Sequence, residues 1–170
     1  SVQLTNDADG IVLADAIRIE RLPAAPEIEI RGNGLVIADG DDSPSISDVT
    51  DFGVAAFTTR VFTIHNTGGD VLDISSIMTS GGDAADFVVS GAPASVPAGD
   101  SASFNVEFTA SAIGLRSTTL TVNNNDPDEG VYDFLIQATG ATAQIVDDGD
   151  PDFTAVGFAT NTGYGFQDDV

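Results

Sequence analysis

From Arg60 to His65 the chain reads RVFTIH, and from Ser101 to Phe108 it reads SASFNVEF, with apolar and polar residues alternating at a period of two. That period sends successive side chains to opposite faces of an extended strand. No segment keeps a 3.6-residue apolar stripe over more than three turns, so the pattern predicts an all-β chain. The strands it predicts are Val2 to Thr5, Ile11 to Glu20, Glu27 to Arg31, Gly34 to Ala38, Arg60 to His65, Val71 to Ile77, Asp86 to Val89, Ser101 to Phe108, Arg116 to Asn123 and Tyr132 to Ala138. Between them lie NDADG, RGNG, NTGG, SGGD, VPAGD and NDPDEG, rich in residues that accept turn dihedrals.

The same alternation predicts the core. Phe62 and Ile64, Leu72 and Ile74, Phe104, Val106 and Phe108, Leu120 and Val122, and Phe134 and Ile136 should point inward. Thr63, His65, Asn105, Glu107, Thr121 and Asp133 should point away. Strands of this number and spacing between Pro26 and Gly140 have the dimensions of an immunoglobulin-like antiparallel β-sandwich. Pro-rich and small-residue stretches, Leu22 to Pro26 and Gly140 to Gln144, read as its borders. Outside them, SVQLTNDADGIVLADAIRIERL reads as a hairpin that would be marginal alone, and AQIVDDGDPDFTAVGFATNTGYGFQDDV as an apolar strand start, an acidic turn and a Gly/aromatic segment. Both ends are expected to be incomplete β segments. The implied division is 1–23, 24–140 and 141–170.

Composition narrows the partners. Twenty-seven acidic residues stand against five arginines and no lysine, a formal net charge of −22 over 170 residues. Such a charge repels nucleic-acid phosphates and anionic membranes, and favours cations. Most of the acids are Asp, a turn former. The chain has no cysteine, hence no disulfide, thiolate metal site or thiol nucleophile. No apolar run reaches spanning length, so membrane insertion is not expected. SVQLTND is not a secretion signal, and an exported protein would carry that signal outside this sequence.

The runs RVFTIHNTGGDVLDIS, GGDAADFVV, VPAGDSASFNVEFTAS and LRSTTLTVNNNDPDEGVYDFLIQATG resemble the bacterial choice-of-anchor D domain, a relative of the hydin-type immunoglobulin-like modules, from near Glu27 to Gly140. The NTG, ADF and NNDP…YDF…TG signals occur in that family's order; Gly130 and Val131 stand where relatives often carry a proline. VQLTNDADGIVLADAIRIERL is similar to the last strands of a golvesin C-terminal-like jelly roll, and QIVDDGDPDFTAVGFATNTGYGFQDDV to its first strands. The resemblance implies one complete sandwich between two partial jelly rolls, an order expected of alternating modules in tandem or of protomers that complete one another.

Three acidic turns stand out: around Asp39 and Asp41, around Asp126 and Asp128, and at Asp147, Asp148, Asp150 and Asp152. Calcium takes six to eight oxygens, which neighbouring aspartates and free carbonyls supply. The EF-hand pattern is not met, because Phe153 stands where that loop needs glycine and no glutamate closes it. The structural reading is a solvated turn in which Asx side chains bond their own backbone; the functional one is a calcium-bridged joint, since two acidic turns brought together repel unless a cation lies between them. Catalysis is not expected. With this many carboxylates a chance pair carries no weight, and His65, the only histidine, lies on an outward face. A carbohydrate platform would draw on aromatic residues, and the chain has no tryptophan.

The function expected is therefore a structural repeat unit of an extracellular or cell-surface fibre or adhesin, joined to neighbouring copies by strand complementation through Val2, Leu4, Ile11, Leu13, Ile17, Ile145, Phe158, Tyr164 and Phe166. The alternative is a non-catalytic spacer or polysaccharide-binding accessory of a secreted polysaccharide-degrading enzyme.

Overall fold

The computed structural model describes residues 25–141. They form ten strands: β1 (Ile28–Gly32), β2 (Leu35–Ile37), β3 (Asp51–Ala55), β4 (Phe57–Asn66), β5 (Leu72–Ser80), β6 (Phe87–Ser90), β7 (Ser95–Val96), β8 (Ser101–Thr109), β9 (Gly114–Asn124) and β10 (Val131–Gly140). One sheet runs in the order β2-β1-β4-β8-β6 and the other β3-β10-β9-β5-β7. Their apolar faces meet as a sandwich. Every side chain predicted to point inward is buried. The six residues predicted to face outward are half-buried on the strand faces turned away from the core.

Aromatic rings dominate the middle of the core. Phe62 lies 5.7 Å, centroid to centroid, from both Phe104 and Phe134, so one ring from β4 touches its own sheet and the opposite one. Phe87 packs 5.0 Å from Phe108 and 5.7 Å from Phe52. Tyr132 is buried too, and its hydroxyl donates to the Ile37 carbonyl, tying β10 to β2 across the sandwich. Burial pushes that phenol up to about 12, so it keeps its proton as a donor.

Two strands escape the alternation. In DFGVA, Phe52 is buried but Val54 is not; Gly53 takes φ +77°, and the pairing with β10 shifts register there. A bulge inserts one residue and breaks the period of two, which hides β3 from a pattern search. β3 also pairs parallel to β10, where a wholly antiparallel sandwich is expected from the sequence. β7 is two residues long, too short for any period to register.

The strand directions give the sandwich two distinct ends. Ile28, which opens β1, pairs with Asn66 at the close of β4, and β9 also closes at this end. Gly140, which closes β10, pairs with Gly114 at the start of β9, and Phe57 at the start of β4 pairs with Thr109 at the close of β8. The chain therefore enters at one pole and leaves at the other, separated by about 30 Å for ten extended residues. Residues 1–24 and 142–170 lie outside the described residues, and with them the hairpin and the aromatic tail.

Phe62→Ala is expected to cost about 3–5 kcal/mol, because it opens a cavity between the two sheets. Val61→Ala, on the exposed outer face next to it, should stay within about 0.5 kcal/mol. Chemical denaturation of the two variants against the parent checks both values.

Candidate functional site

The entry pole gathers the charges. Strands end there, so backbone N–H and C=O groups need side-chain partners. Asn66 supplies four such bonds. Its Oδ1 accepts from the N–H of Glu27 (3.2 Å) and of Gly68 (3.1 Å), while Nδ2 donates to the carbonyls of Asp70 (2.7 Å) and Val96 (3.0 Å). Gly68 lies against Ala25, Pro26 and Glu27, where a Cβ would overlap backbone atoms. The NTG signal is thus a clamp on the incoming chain.

Asp126 makes the second clamp. It is 4% exposed; its Oδ2 accepts the Ile28 N–H at 2.9 Å, and its Oδ1 accepts those of Asp128 (3.2 Å) and Glu129 (3.4 Å). Asn124 shapes the same turn, accepting from Asp126 N–H at 2.7 Å and donating to the Glu129 carbonyl at 2.9 Å. Burial opposes the charge on Asp126, but the N–H groups of Ile28, Asp128 and Glu129 outweigh it and hold the carboxyl below its ordinary 3.8.

Around this clamp the carboxylates crowd. Glu27, Asp126 and Asp128 each bring a carboxylate oxygen within 4.8 Å of the others. Glu129 feels the crowd: burial, then the negative charges of Asp126, Glu27, Asp39 and Asp128, raise its carboxyl above the ordinary 4.5. Glu27 and Asp128 are exposed, whereas both oxygens of Asp126 already accept backbone bonds. The cluster thus presents two open carboxylates, and a calcium ion held there would need further oxygens from water or from a neighbouring molecule.

Of the acids singled out in the sequence, Asp126 and Asp128 lie together here. Asp39 and Asp41 lie beside β10, where Asp39 accepts the Asp133 N–H (2.8 Å) and Asp41 accepts the Ser43 N–H (2.9 Å). Asp41 also lines a shallow hollow of about 190 Å³ with Gly40, Asp42, Thr119, Asp133, Phe134 and Leu135, smaller than a usual ligand pocket. Asp147, Asp148, Asp150 and Asp152 lie outside the described residues, as do Val2, Leu4, Ile11, Leu13, Ile17, Ile145, Phe158, Tyr164 and Phe166. Sequence reasoning missed Glu27 and Glu129 as members of the cluster. Glu129 is visible in NDPDEG, but nothing local ties Glu27 to a turn about a hundred residues later.

His65 sits in register with Glu29 on one side and Ser101 on the other. The Glu29 carboxylate bonds Arg31 at 2.6 Å. No hydrogen bond joins the three among the described residues, and the sheet face they occupy is open to solvent.

Asp86 fastens the far end. Its carboxylate, 3% exposed, meets Arg116 Nε at 2.7 Å, and Arg116 reaches Asp83 at 2.7 Å. Burial works against its charge, but hydrogen bonds from Arg116 and Ser111 hold its carboxyl below 3.8.

Residues 45–137 match the family model described as HYDIN/CFA65/VesB-like, Ig-like domain, which spans β3 to most of β10. Among solved structures the chain is similar to a protein of unknown function from Porphyromonas gingivalis W83, at 14% identity and TM-score 0.49, over 68% of this chain and 46% of that one. It is similar also to PapD-like domain 7 of human CEP192 (12%, TM-score 0.42, 79% of this chain and 99% of that one) and to the VesB protease of Vibrio cholerae (13%, TM-score 0.42, 62% and 31%). The chain thus spans less than half of the Porphyromonas protein and about a third of the protease. No curated protein sequence matches it.

The two directions of shift predict a pH optimum. Glu129, raised in the folded state, takes up a proton on acidification before its unfolded counterpart, so stability rises as pH falls through its folded value and the gain is complete below the ordinary 4.5. Asp86 and Asp126, lowered in the folded state, stabilise fully above about 3.8, and their contribution is lost as pH falls through their folded values. Thermal melts from pH 7 to 3 should therefore show a maximum on the acid side of neutrality. Glu129→Gln should remove the rise and keep the fall.

Proposed function

Because this chain belongs to the HYDIN/CFA65/VesB-like Ig-like domain family, we propose that it serves as a structural spacer module of a larger extracellular or cell-surface protein. The observation that carries this reading is the placement of entry and exit at opposite poles of the sandwich. A module that receives its chain at one end and releases it at the other adds its full length to whatever it joins. The charge fits the same role: a net −22 keeps crowded copies apart except where a joint neutralises it.

The joint is the finer part of the proposal. Neighbouring copies or modules meet end to end, with the segments before Ala25 and after Ala141 supplying strands of the choice-of-anchor D and golvesin-like arrangement. Calcium bridges them, using the open carboxylates of Glu27 and Asp128 and the acidic turn at 147–152 of a neighbour. The ion offsets a repulsion that two acidic turns in contact would otherwise feel.

Removing residues 1–23 should abolish concentration-dependent growth in particle size, measured by light scattering. An intact and a shortened chain that stay identical monomers would sink the end-to-end joint. Millimolar calcium should raise the melting midpoint of the intact chain by several degrees over a chelator control, about 2.7 kcal/mol at a hundredfold excess over the dissociation constant. Glu27→Gln with Asp128→Asn should remove most of that gain. An unchanged midpoint takes calcium out of the joint.

A further inference from the structure

β4 is ten residues long, and β8 runs beside it from Phe57 to His65, but β1 pairs only with Phe62 to Asn66. Toward the exit pole β1 ends at Gly32, and the chain doubles back through Asn33 (φ +51°) and Gly34 (φ +79°) into β2. Phe57 to Val61 therefore have a strand on one side and, among the described residues, none on the other. Three bonds fix which backbone groups face the gap. The Thr67 N–H donates to the Glu27 carbonyl at 2.8 Å, so odd-numbered residues of β4 address the β1 side; the Asn66 N–H on the Asp100 carbonyl (3.0 Å) and the Ala110 N–H on the Ala56 carbonyl (2.9 Å) turn the even-numbered ones to β8. The N–H and C=O groups of Phe57, Thr59 and Val61 thus point to the open side. Their side chains stand on the outer face, with Phe57 64% and Val61 53% exposed. Arg60 points inward instead, donating to the Phe52 carbonyl at 2.9 Å and lying over the Phe52 ring, which fastens this half of β4 to β3. Open edges are normally blunted. β2, β6 and β7 are three, four and two residues long, and β3 and β5 carry register shifts. FTTRV has neither bulge nor proline, and its one charge faces inward.

We propose that a second copy of the chain completes this edge, the two FTTRV stretches pairing antiparallel about a two-fold axis at Thr59. Two arguments select this occupant. The stretch is self-complementary: the residues with open backbone groups are spaced by two, so Phe57 falls opposite Val61 of the other copy and Thr59 opposite Thr59, and each pair exchanges two hydrogen bonds. Aromatic with β-branched and Thr with Thr are favourable cross-strand partners. Charge makes the second argument, because copies that each carry −22 repel wherever acids meet, and the run from Phe52 to Gly69 holds none. The acid in register with this edge is Glu107, opposite Thr59 on the β8 side. In the pair, the two Glu107 residues lie three strand spacings apart, about 14 Å, beyond the screening length of about 8 Å at physiological salt. This contact is lateral and closes at two copies, whereas the joint proposed above runs end to end.

The absence of native cysteine makes the test direct. In the full chain, Thr59→Cys places one thiol at the two-fold axis, and Met78→Cys, on the exposed outer face of β5, serves as control. Under mild oxidation Thr59→Cys should close to a disulfide-linked dimer at least tenfold faster than the control. Adding Val61→Pro removes a donor from the joint without touching the β8 ladder, and should bring closure to within about twofold of the control. Val61→Glu, which leaves every backbone group in place and puts an acid into each half of the joint, should do the same and decides the matter if the proline variant fails to fold. A cysteine-bearing alternating Arg/Val peptide is offered in parallel. Equal closure by Thr59→Cys and Met78→Cys, or closure that both Val61 variants leave unchanged, overturns the proposal. So does slow hydrogen exchange at Phe57, Thr59 and Val61 in dilute monomer, which means the edge is taken within the chain, and so does trapping of the peptide in place of a second copy. Linked chains are counted after denaturation, so end-to-end association, present or absent, does not enter the reading.

Discussion

A β-sandwich satisfies its backbone along the strands and leaves it unsatisfied where strands stop. This protein meets that constraint with buried polar side chains. Asn66 alone closes four bonds at the entry pole, Asp126 accepts three backbone N–H groups beside it, and Asp86 with Arg116 holds the turn between β5 and β6 against the start of β9. Thr118 does the same on a smaller scale, donating to the Ser80 carbonyl at 2.9 Å. Each group stays buried at little cost because its hydrogen-bonding capacity is used. Without them the two apolar faces would still attract, but the loops would have no fixed path over the core.

This explains what the short signals of the sequence do in the fold. The NTG turn clamps the incoming chain, ADF buries one carboxylate and one ring, NNNDPDEG builds the turn that receives Ile28, and YDF places Tyr132 and Phe134 in the core with Asp133 between them on the outside. These are fasteners, and what they fix is the path of the loops over the core.

What could be read from the chain followed from the range of the physics involved. Alternation is local, and it identified the inward residues of β4, β5, β8, β9 and β10. β3 was hidden because Gly53 bulges the strand, and because its partner β10 lies far along the chain and runs parallel to it. The acidic turn at Asp126 and Asp128, with Glu129 beside it, was plain in the sequence; Glu27 joined it only through the fold. Likewise the exit pole is assembled from three separate stretches, each unremarked alone: a bulged strand end, a loop of small residues and a closing glycine.

The opposite placement of the two chain ends also decides how the molecule answers a mechanical load. Tension applied at Ala25 and Ala141 runs parallel to β1 and β10, so the ladders to β4 and β9 are loaded in shear and their bonds must yield together. A sandwich with both ends at one pole would peel apart bond by bond. Under force, resistance is governed by the rate of unfolding rather than by equilibrium stability, and the direction of the strands sets that rate as surely as the size of the core.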